Sequence, residues 1–473
     1  MSLRTKVLRG GFYLLLRHGL SVAVTAIGVV LLTRAIGPTA YGLYAIAYGI
    51  YVYLFSLGQW GVDVYLIRQK DEPQPQDYHQ AFSLVLLLGA VGAGSVILAL
   101  PLLERWLQLV GFKPLAIAVF AVLPIQLLGV VPLARLERAL DYRKVALSEL
   151  SGKIALYAVA LPLAYQGLGS WAPVWGLWSS QLLISGLLYW QARYWPRFYW
   201  EFARVRRMVG YGLGYSASDW VWNARYLVNP LIVGRYGGAD AVGYVDLAIR
   251  LTDQLSHVVV LTTWRLSVAA FARLQEDKAR LVRAVSEGMS LQLMAVGPIL
   301  GGFGLVAPWL LPLLFGPQWL PVLEVYPFIA AGTLVNAMFT LHSSALYVLR
   351  RIWEVASLNL LNIFLFAGSA LLLVPYLGFK GYGWAEMVAL PSYILPMMWF
   401  QLYLGRLRYA QALVWLAAWI IPLFSWQLGP WTCISVIVPL IWPATRSELL
   451  QAVSMVWGRV YGRWHRFKPD ERP

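Results

Sequence analysis

Asp246, Arg250, Asp253 and His257 follow one another at helical spacing inside an otherwise apolar run. On an α-helix, i, i+4, i+7 and i+11 share one face. Such a face can do one of two things. Its carboxylates can neutralise its arginine in a ladder of ion pairs, or the face can line a path for a charged solute. A second polar set precedes it. Asp219 and Asn223 share one face, and Arg225 and Asn229 share another about 120° away on a helix of ~3.6 residues per turn. Arg17 and His18 interrupt the first apolar run of the chain. Arginine suits phosphate because its planar guanidinium donates several charge-assisted hydrogen bonds in a fixed fork.

These residues need elements to hold them, and composition says what the elements are. The chain has 473 residues, is 59% hydrophobic and 13% charged, and has a mean hydropathy of +0.62. Soluble domains carry about 25% charged residues. Many separate apolar runs reach the ~20 residues that cross ~30 Å of hydrocarbon as a helix. The pattern excludes a barrel, which alternates in segments of ~10 residues. The fold class expected is an all-α polytopic membrane protein of about fourteen transmembrane helices. The spans fall near 11–33, 42–67, 80–103, 114–134, 147–166, 170–190, 209–234, 242–264, 287–312, 321–348, 352–376, 382–404, 409–426 and 430–443. The last two are short enough to form one re-entrant hairpin.

The formal net charge of +16 does not point to nucleic acid. Most of the 38 Lys and Arg residues fall on one side when the N-terminus is placed in the cytoplasm. Both termini are then cytoplasmic. A basic tail with Arg459, Arg463, Arg466, Lys468 and Arg472 would lie on the anionic inner leaflet. The N-terminus imitates a signal peptide, but its apolar run continues to Leu32, too long for a signal core. The single cysteine, Cys433, excludes an intramolecular disulfide and a cysteine-based metal site.

The chain also repeats itself. "TRAIGPTAYGLYAIA" (Thr33–Ala47) returns as "GRYGGADAVGYVDLA" (Gly234–Ala248), with Arg34, Gly37, Ala40, Gly42 and Ala47 each matched 201 residues later. Two further echoes follow in order, around Ala139–Glu149 and Ala345–Ser357, and at Tyr165–Ala172 and Tyr376–Ala385. Spans 1–6 therefore correspond to spans 7–12, and an even number makes the repeat parallel. The domains expected are a six-helix lobe over 1–200, a second over 201–405, an extra hairpin over 406–443 and the tail over 444–473. The copies differ in chemistry. Asp246, Arg250, Asp253 and His257 correspond to Ala45, Gly49, Val52 and Ser56.

With those motifs in hand, the chain resembles the polysaccharide-transporter branch of the MOP superfamily (the Wzx-type lipid-linked oligosaccharide flippases). The resemblance rests on Arg34–Ala47, Phe55–Glu72, Leu136–Ala155, Asn229–Leu251, Phe271–Leu281 and Leu314–Pro321. It departs at Asn229, where the family often has Asp. The resemblance implies two bundles that alternate between inward- and outward-open states. It implies a polyprenyl-pyrophosphate-linked oligosaccharide as substrate, moved to the outer leaflet of the bacterial plasma membrane, with the polysaccharide polymerase and export machinery as further partners.

The residues expected along the substrate path are Arg17, His18, Asp219, Asn223, Arg225, Asp246, Arg250, Asp253 and His257. Arg225 and Arg250 each lie about nine residues from the outer turn, roughly 13 Å deep, and could form one basic shelf. Arg17 lies roughly 24 Å from the outer surface, where it would bind substrate or snorkel to the inner interface. Glu324, His342, Glu354 and Glu386 read as local packing. No catalytic residue, metal ligand or cofactor is expected, apart from H⁺ or Na⁺ as a coupling ion on Asp219 or Asp253. No phosphate-binding loop G-x-x-x-x-G-K-[ST] occurs, so the chain has no ATPase of its own. Two other readings stay open: a multidrug or cation antiporter of the same superfamily, and a membrane enzyme of polysaccharide assembly, a polymerase or glycosyltransferase.

Overall fold

The computed structural model describes residues 3–69, 71–451 and 454, and the side chains of these except residues 3–18, 214, 215, 218, 219, 257 and 265. Helices make up the chain, and no strand occurs among the described residues. In order they are α1 (Leu3–Gln59), α2 (Val62–Arg68), α3 (Pro75–Leu107), α4 (Phe112–Phe120), α5 (Leu123–Leu128), α6 (Val130–Arg138), α7 (Tyr142–Tyr165) and α8 (Trp171–Ala192). Then come α9 (Phe202–Asn223), α10 (Gly234–Leu274), α11 (Lys278–Leu314), α12 (Val322–Val348), α13 (Ile352–Leu377), α14 (Lys380–Ala389), α15 (Ile394–Tyr403) and α16 (Ala410–Leu423). Short turns of helix complete the described chain.

Seven helices among the described residues are long and apolar enough to cross a membrane, or up to nine if two bent pairs each count as one span. The expected fourteen is not reached by length and composition alone, for local reasons. α1 holds two expected spans, run together across a break at Gly37. The expected spans near 382–404 and 430–443 are cut into short pieces around Pro391 and Pro439. α16, at 14 residues, is too short to cross ~30 Å at ~1.5 Å per residue.

The chain packs as two compact units. One comprises Met1–Leu247, Leu311–Val322 and Ile363–Ala385; the other comprises Ala248–Leu310, Leu323–Asn362 and Glu386–Pro473. In the first unit α7 and α8 form a helical hairpin against α1. Leu32, Ala35 and Ile36 of α1 meet Ala160 and Ala164 of α7 and Ala172 of α8. Small residues let the helices approach: a side chain at Gly176 would stand 2.7 Å from the carbonyl oxygen of Leu156. In the second unit the same device seats a large ring. Gly297 and Gly301, one turn apart on α11, both face Trp419 of α16. Tyr326 donates to the carbonyl of Leu300 at 2.9 Å, which ties α12 to α11.

The repeated stretch forms the same turn twice. Gly37 has φ 74° and ψ 173°, and Gly238 has φ 78° and ψ −173°. Positive φ with extended ψ is a region open essentially to glycine alone. The two turns also pack on each other within the first unit. A side chain at Gly42 would collide with the carbonyl of Ala239, and one at Gly243 would lie 2.7 Å from the carbonyl oxygen of Pro38. Pro38 and Ala239 are themselves equivalent positions of the repeat, so the contact is reciprocal. The arginines exchange in the same way. Arg34 donates to the last carbonyls of α11, Leu313 at 2.9 Å and Leu314 at 3.4 Å. Arg235 lies over Trp106, near the end of α3, the counterpart of α11 in the other copy.

Candidate substrate-pathway residues

Between α9 and α10 the helix is not regular. A 3₁₀ turn covers Ala224–Leu227 and a π turn covers Asn229–Val233. Pro230 lacks the N–H that a continuous α-helix would use, and it packs against Gly49 of α1. Irregular helix at membrane depth is tolerated where protein encloses it. Arg225 sits in the 3₁₀ turn, with its guanidinium carbon 4.2 Å from the centre of the Phe366 ring. Asn229 is 5% exposed. Its Nδ2 donates to the carbonyl of Val242 at 3.4 Å, and its Oδ1 is buried without a hydrogen-bond partner.

Asn223, at the end of α9, donates through Nδ2 to the Ser56 hydroxyl at 2.8 Å. Trp220 donates to the Ser56 carbonyl at 2.9 Å, and its ring meets Trp60. Ser56 is the counterpart of His257 in the repeat. The first copy therefore uses that position to hold the second copy's entering helix.

Asp246 accepts a hydrogen bond from the Tyr41 hydroxyl at 2.6 Å. Tyr41 is 3% exposed and touches Trp319 edge-on. The repeat counterparts of this polar pair, Val242 and Ala45, are apolar and buried. The carboxylate and its phenol thus mark where two symmetry-related positions have diverged together.

Among the expected path residues, Asn223, Arg225 and Asp246 lie in the first unit, and Arg250 and Asp253 lie in the second. α10 is helical from Ala239 onward but bends by 53° between Ser256 and Val258. Asp246, Arg250 and Asp253 follow one another along its stretch before the bend. Arg250 is half-buried and Asp253 is exposed. The side chains of Arg17, His18, Asp219 and His257 lie outside the described residues, as do the basic residues of the tail from Arg459. His342, read as packing, is buried in the second unit with Nε2 2.9 Å from the Tyr409 hydroxyl. Glu354 accepts from the Tyr403 hydroxyl at 2.9 Å.

One feature escaped the reading of charged residues. Tyr41, Tyr44, Tyr48 and Tyr51 descend one face of the second half of α1. Tyr48 stacks between Tyr44 and Tyr51, with ring centres 5.4 and 5.8 Å away. Tyr51 then donates to Oε1 of Gln126. Their i, i+3, i+7, i+10 spacing was the available signal. Tyrosine carries no formal charge, so a pattern of charged residues does not include it.

Comparison with known proteins decides the family. A family model described as "Polysaccharide biosynthesis protein" matches residues 31–324, more than half of the chain. The chain belongs to that family. It is 26% identical over 296 residues to the succinoglycan biosynthesis transport protein ExoT of Rhizobium meliloti (strain 1021), which is 62% of this chain and 59% of that protein. The match thus spans about three-fifths of that relative's length. It is 22% identical over 373 residues to the lipopolysaccharide biosynthesis protein WzxC of Escherichia coli (strain K12), covering 77% of this chain and 75% of that one. Among solved structures, the lipid II flippase MurJ in an inward closed conformation superposes with a TM-score of 0.66 at 12% identity, over 96% of this chain and all of that chain. An inward-facing multidrug transporter of the MATE family, MOP superfamily, superposes with a TM-score of 0.62 at 16% identity, over 82% of this chain and 98% of that chain. These likenesses establish the fold, which this family member shares with both structures.

Proposed function

We propose that this polysaccharide biosynthesis protein is a flippase. In this reading it carries polyprenyl-pyrophosphate-linked oligosaccharide, the repeat unit of an O-antigen or exopolysaccharide, from the inner to the outer leaflet of the bacterial plasma membrane by alternating access. The family match carries the reading. It covers residues 31–324, which include the first repeated turn, the broken helix at Arg225 and all of α10. The names of two relatives, a succinoglycan transport protein and a lipid II flippase, support a lipid-linked saccharide as cargo. Arg225 and Arg250 are the cations this reading assigns to the pyrophosphate. Both termini face the cytoplasm, and the two halves of the repeat, 1–200 and 201–405, are the moving parts. H⁺ or Na⁺ entry coupled through Asp219 or Asp253 drives net export; vesicle transport indifferent to both gradients would remove that part.

A deletion strain tests the whole reading. Complete lipid-linked repeat units should accumulate on the cytoplasmic side. Unpolymerised units on the outer side would identify a polymerase instead, and normal polymer with altered drug sensitivity would identify a multidrug antiporter.

A further inference from the structure

The segment joining the two halves of the repeat, "RYWPRFYWEF" (Arg193–Phe202), holds six aromatic residues in ten. Residues 194–201 have no regular secondary structure and are fastened to the start of α3 by a series of hydrogen bonds. The Tyr194 hydroxyl donates to the carbonyl of Tyr78 at 3.0 Å, the Tyr199 N–H to the Ser83 hydroxyl at 2.9 Å, and the Glu201 N–H to Gln80 Oε1 at 2.6 Å. Arg204 closes the series on Asp77 at 2.5 Å and on Glu201 at 2.6 Å.

Tyr194 is buried against His79 and Tyr189, whereas three other rings of the segment face outward. Trp195 is 84% exposed, Phe198 73% and Phe202 74%. Rings so exposed beside arginines suit the membrane–water interface, where an apolar body meets a polar edge. The segment does more than cover α3. Phe198 and Trp200 form one wall of a groove of about 530 Å³, and Leu86, Leu87 and Ala90 of α3 form the other. The polar member of the lining, Ser83, already accepts from Tyr199 and donates to the carbonyl of His79. The groove therefore offers nothing to a polar ligand and fits a hydrocarbon chain. Arg197, exposed, directly precedes Phe198 of the groove wall, and Arg193, also exposed, begins the same segment. Chain and charge together specify an amphiphile with an anionic head.

We propose that this groove is a binding site for one anionic phospholipid of the cytoplasmic leaflet, with an acyl chain between α3 and the linker and the headgroup phosphate on Arg193 and Arg197. The inference needs the chain to be membrane-embedded with its basic side inward; it does not depend on what the protein transports. A bilayer shell alone would accept any lipid, whereas this site prefers negative charge. A bound phospholipid would hold the linker against α3 from the membrane side, as Arg204 holds it from the aqueous side.

The test uses the full chain in detergent, with native mass spectrometry after addition of dioleoyl phosphatidylglycerol or dioleoyl phosphatidylethanolamine. One phosphatidylglycerol should persist at collision energies that strip phosphatidylethanolamine. Arg193→Gln and Arg197→Gln should each weaken phosphatidylglycerol retention about fivefold, near the contribution of one basic residue at an anionic surface. Leu87→Trp should fill the groove and abolish the retained adduct with both arginines intact, and Ala90→Phe serves the same purpose should Leu87→Trp fail to fold. Equal retention of the two lipids by the unmodified protein overturns the proposal. So does retention unchanged in both the arginine and groove variants, which describes general annular lipid. Displacement of the adduct by equimolar polyprenyl pyrophosphate would also overturn it, by assigning the groove to that lipid's tail.

Discussion

At Asp246 a hydrogen bond marks one place where the two copies of the repeat differ. Tyr41 donates to the carboxylate at 2.6 Å, where the counterpart positions are Val242 and Ala45. Hydrogen bonds between membrane helices average about 0.6 kcal/mol, and bonds to charged groups in proteins reach about 1.5–3 kcal/mol. Tyr41→Phe should therefore destabilise the protein by roughly 1 kcal/mol. A double-mutant cycle with Asp246→Asn, read by thermal unfolding in detergent, should return a coupling of that size; additive effects would show that the pair is merely adjacent. Arg225 offers a second test. Its guanidinium stacks on Phe366, so Arg225→Lys keeps the charge and loses the planar contact. If Arg225 holds phosphate, Arg225→Ala should abolish export with normal membrane insertion, while Arg225→Lys keeps a fraction of it. Normal export by Arg225→Ala would remove it from the path.

The informative elements are those that depart from ideal geometry. The turns at Gly37 and Gly238 adopt one backbone conformation, so Gly37→Ala and Gly238→Ala should cost similar amounts, of order 1–3 kcal/mol each. Gly42→Ala should cost more, because its new methyl meets the Ala239 backbone, which cannot rotate away. Thermal midpoints of the three variants rank these costs. The clasp at the start of α3 responds to acid. Hydrogen bonds from Arg204 and then Tyr199 hold the Glu201 carboxyl below its ordinary value of 4.5. A depressed carboxylate contributes its stability above the unfolded value, and that contribution is lost as pH falls through the lower, folded one. Hydrogen exchange in the linker should rise below pH 4.5, and Glu201→Gln should exchange faster at neutral pH without that acid step.

For the whole molecule, the basic asymmetry of the loops predicts which surface each turn meets. In a background with Cys433→Ser, an impermeant maleimide applied to intact cells should label Gln166→Cys and Asp240→Cys. It should spare Lys278→Cys until the cells are opened. Labelling of Lys278→Cys from outside would reverse the orientation. The repeat shapes the molecule at this scale too. Each copy's arginine reaches the end of the other copy's third long helix: Arg34 caps α11, and Arg235 stacks at the end of α3. The reciprocal turns are thus held by the helices that follow them.

The sequence alone determined the class, the repeat and the positions of the turns. Membrane spans follow from local hydropathy, and a glycine in a repeated motif specifies a backbone shape that only glycine adopts. The family resemblance followed from the same motifs, since their order survives where identity is low. Only the tertiary structure could decide which polar groups meet. Helical periodicity put Asp246 on a face, but its partner Tyr41 lies 205 residues away, and no spacing rule spans that distance. The 3₁₀ and π turns at Arg225 and Asn229 were equally hidden. Pro230 signals a break in the helix, but its fit against Gly49 of another helix is a long-range contact that local sequence does not encode.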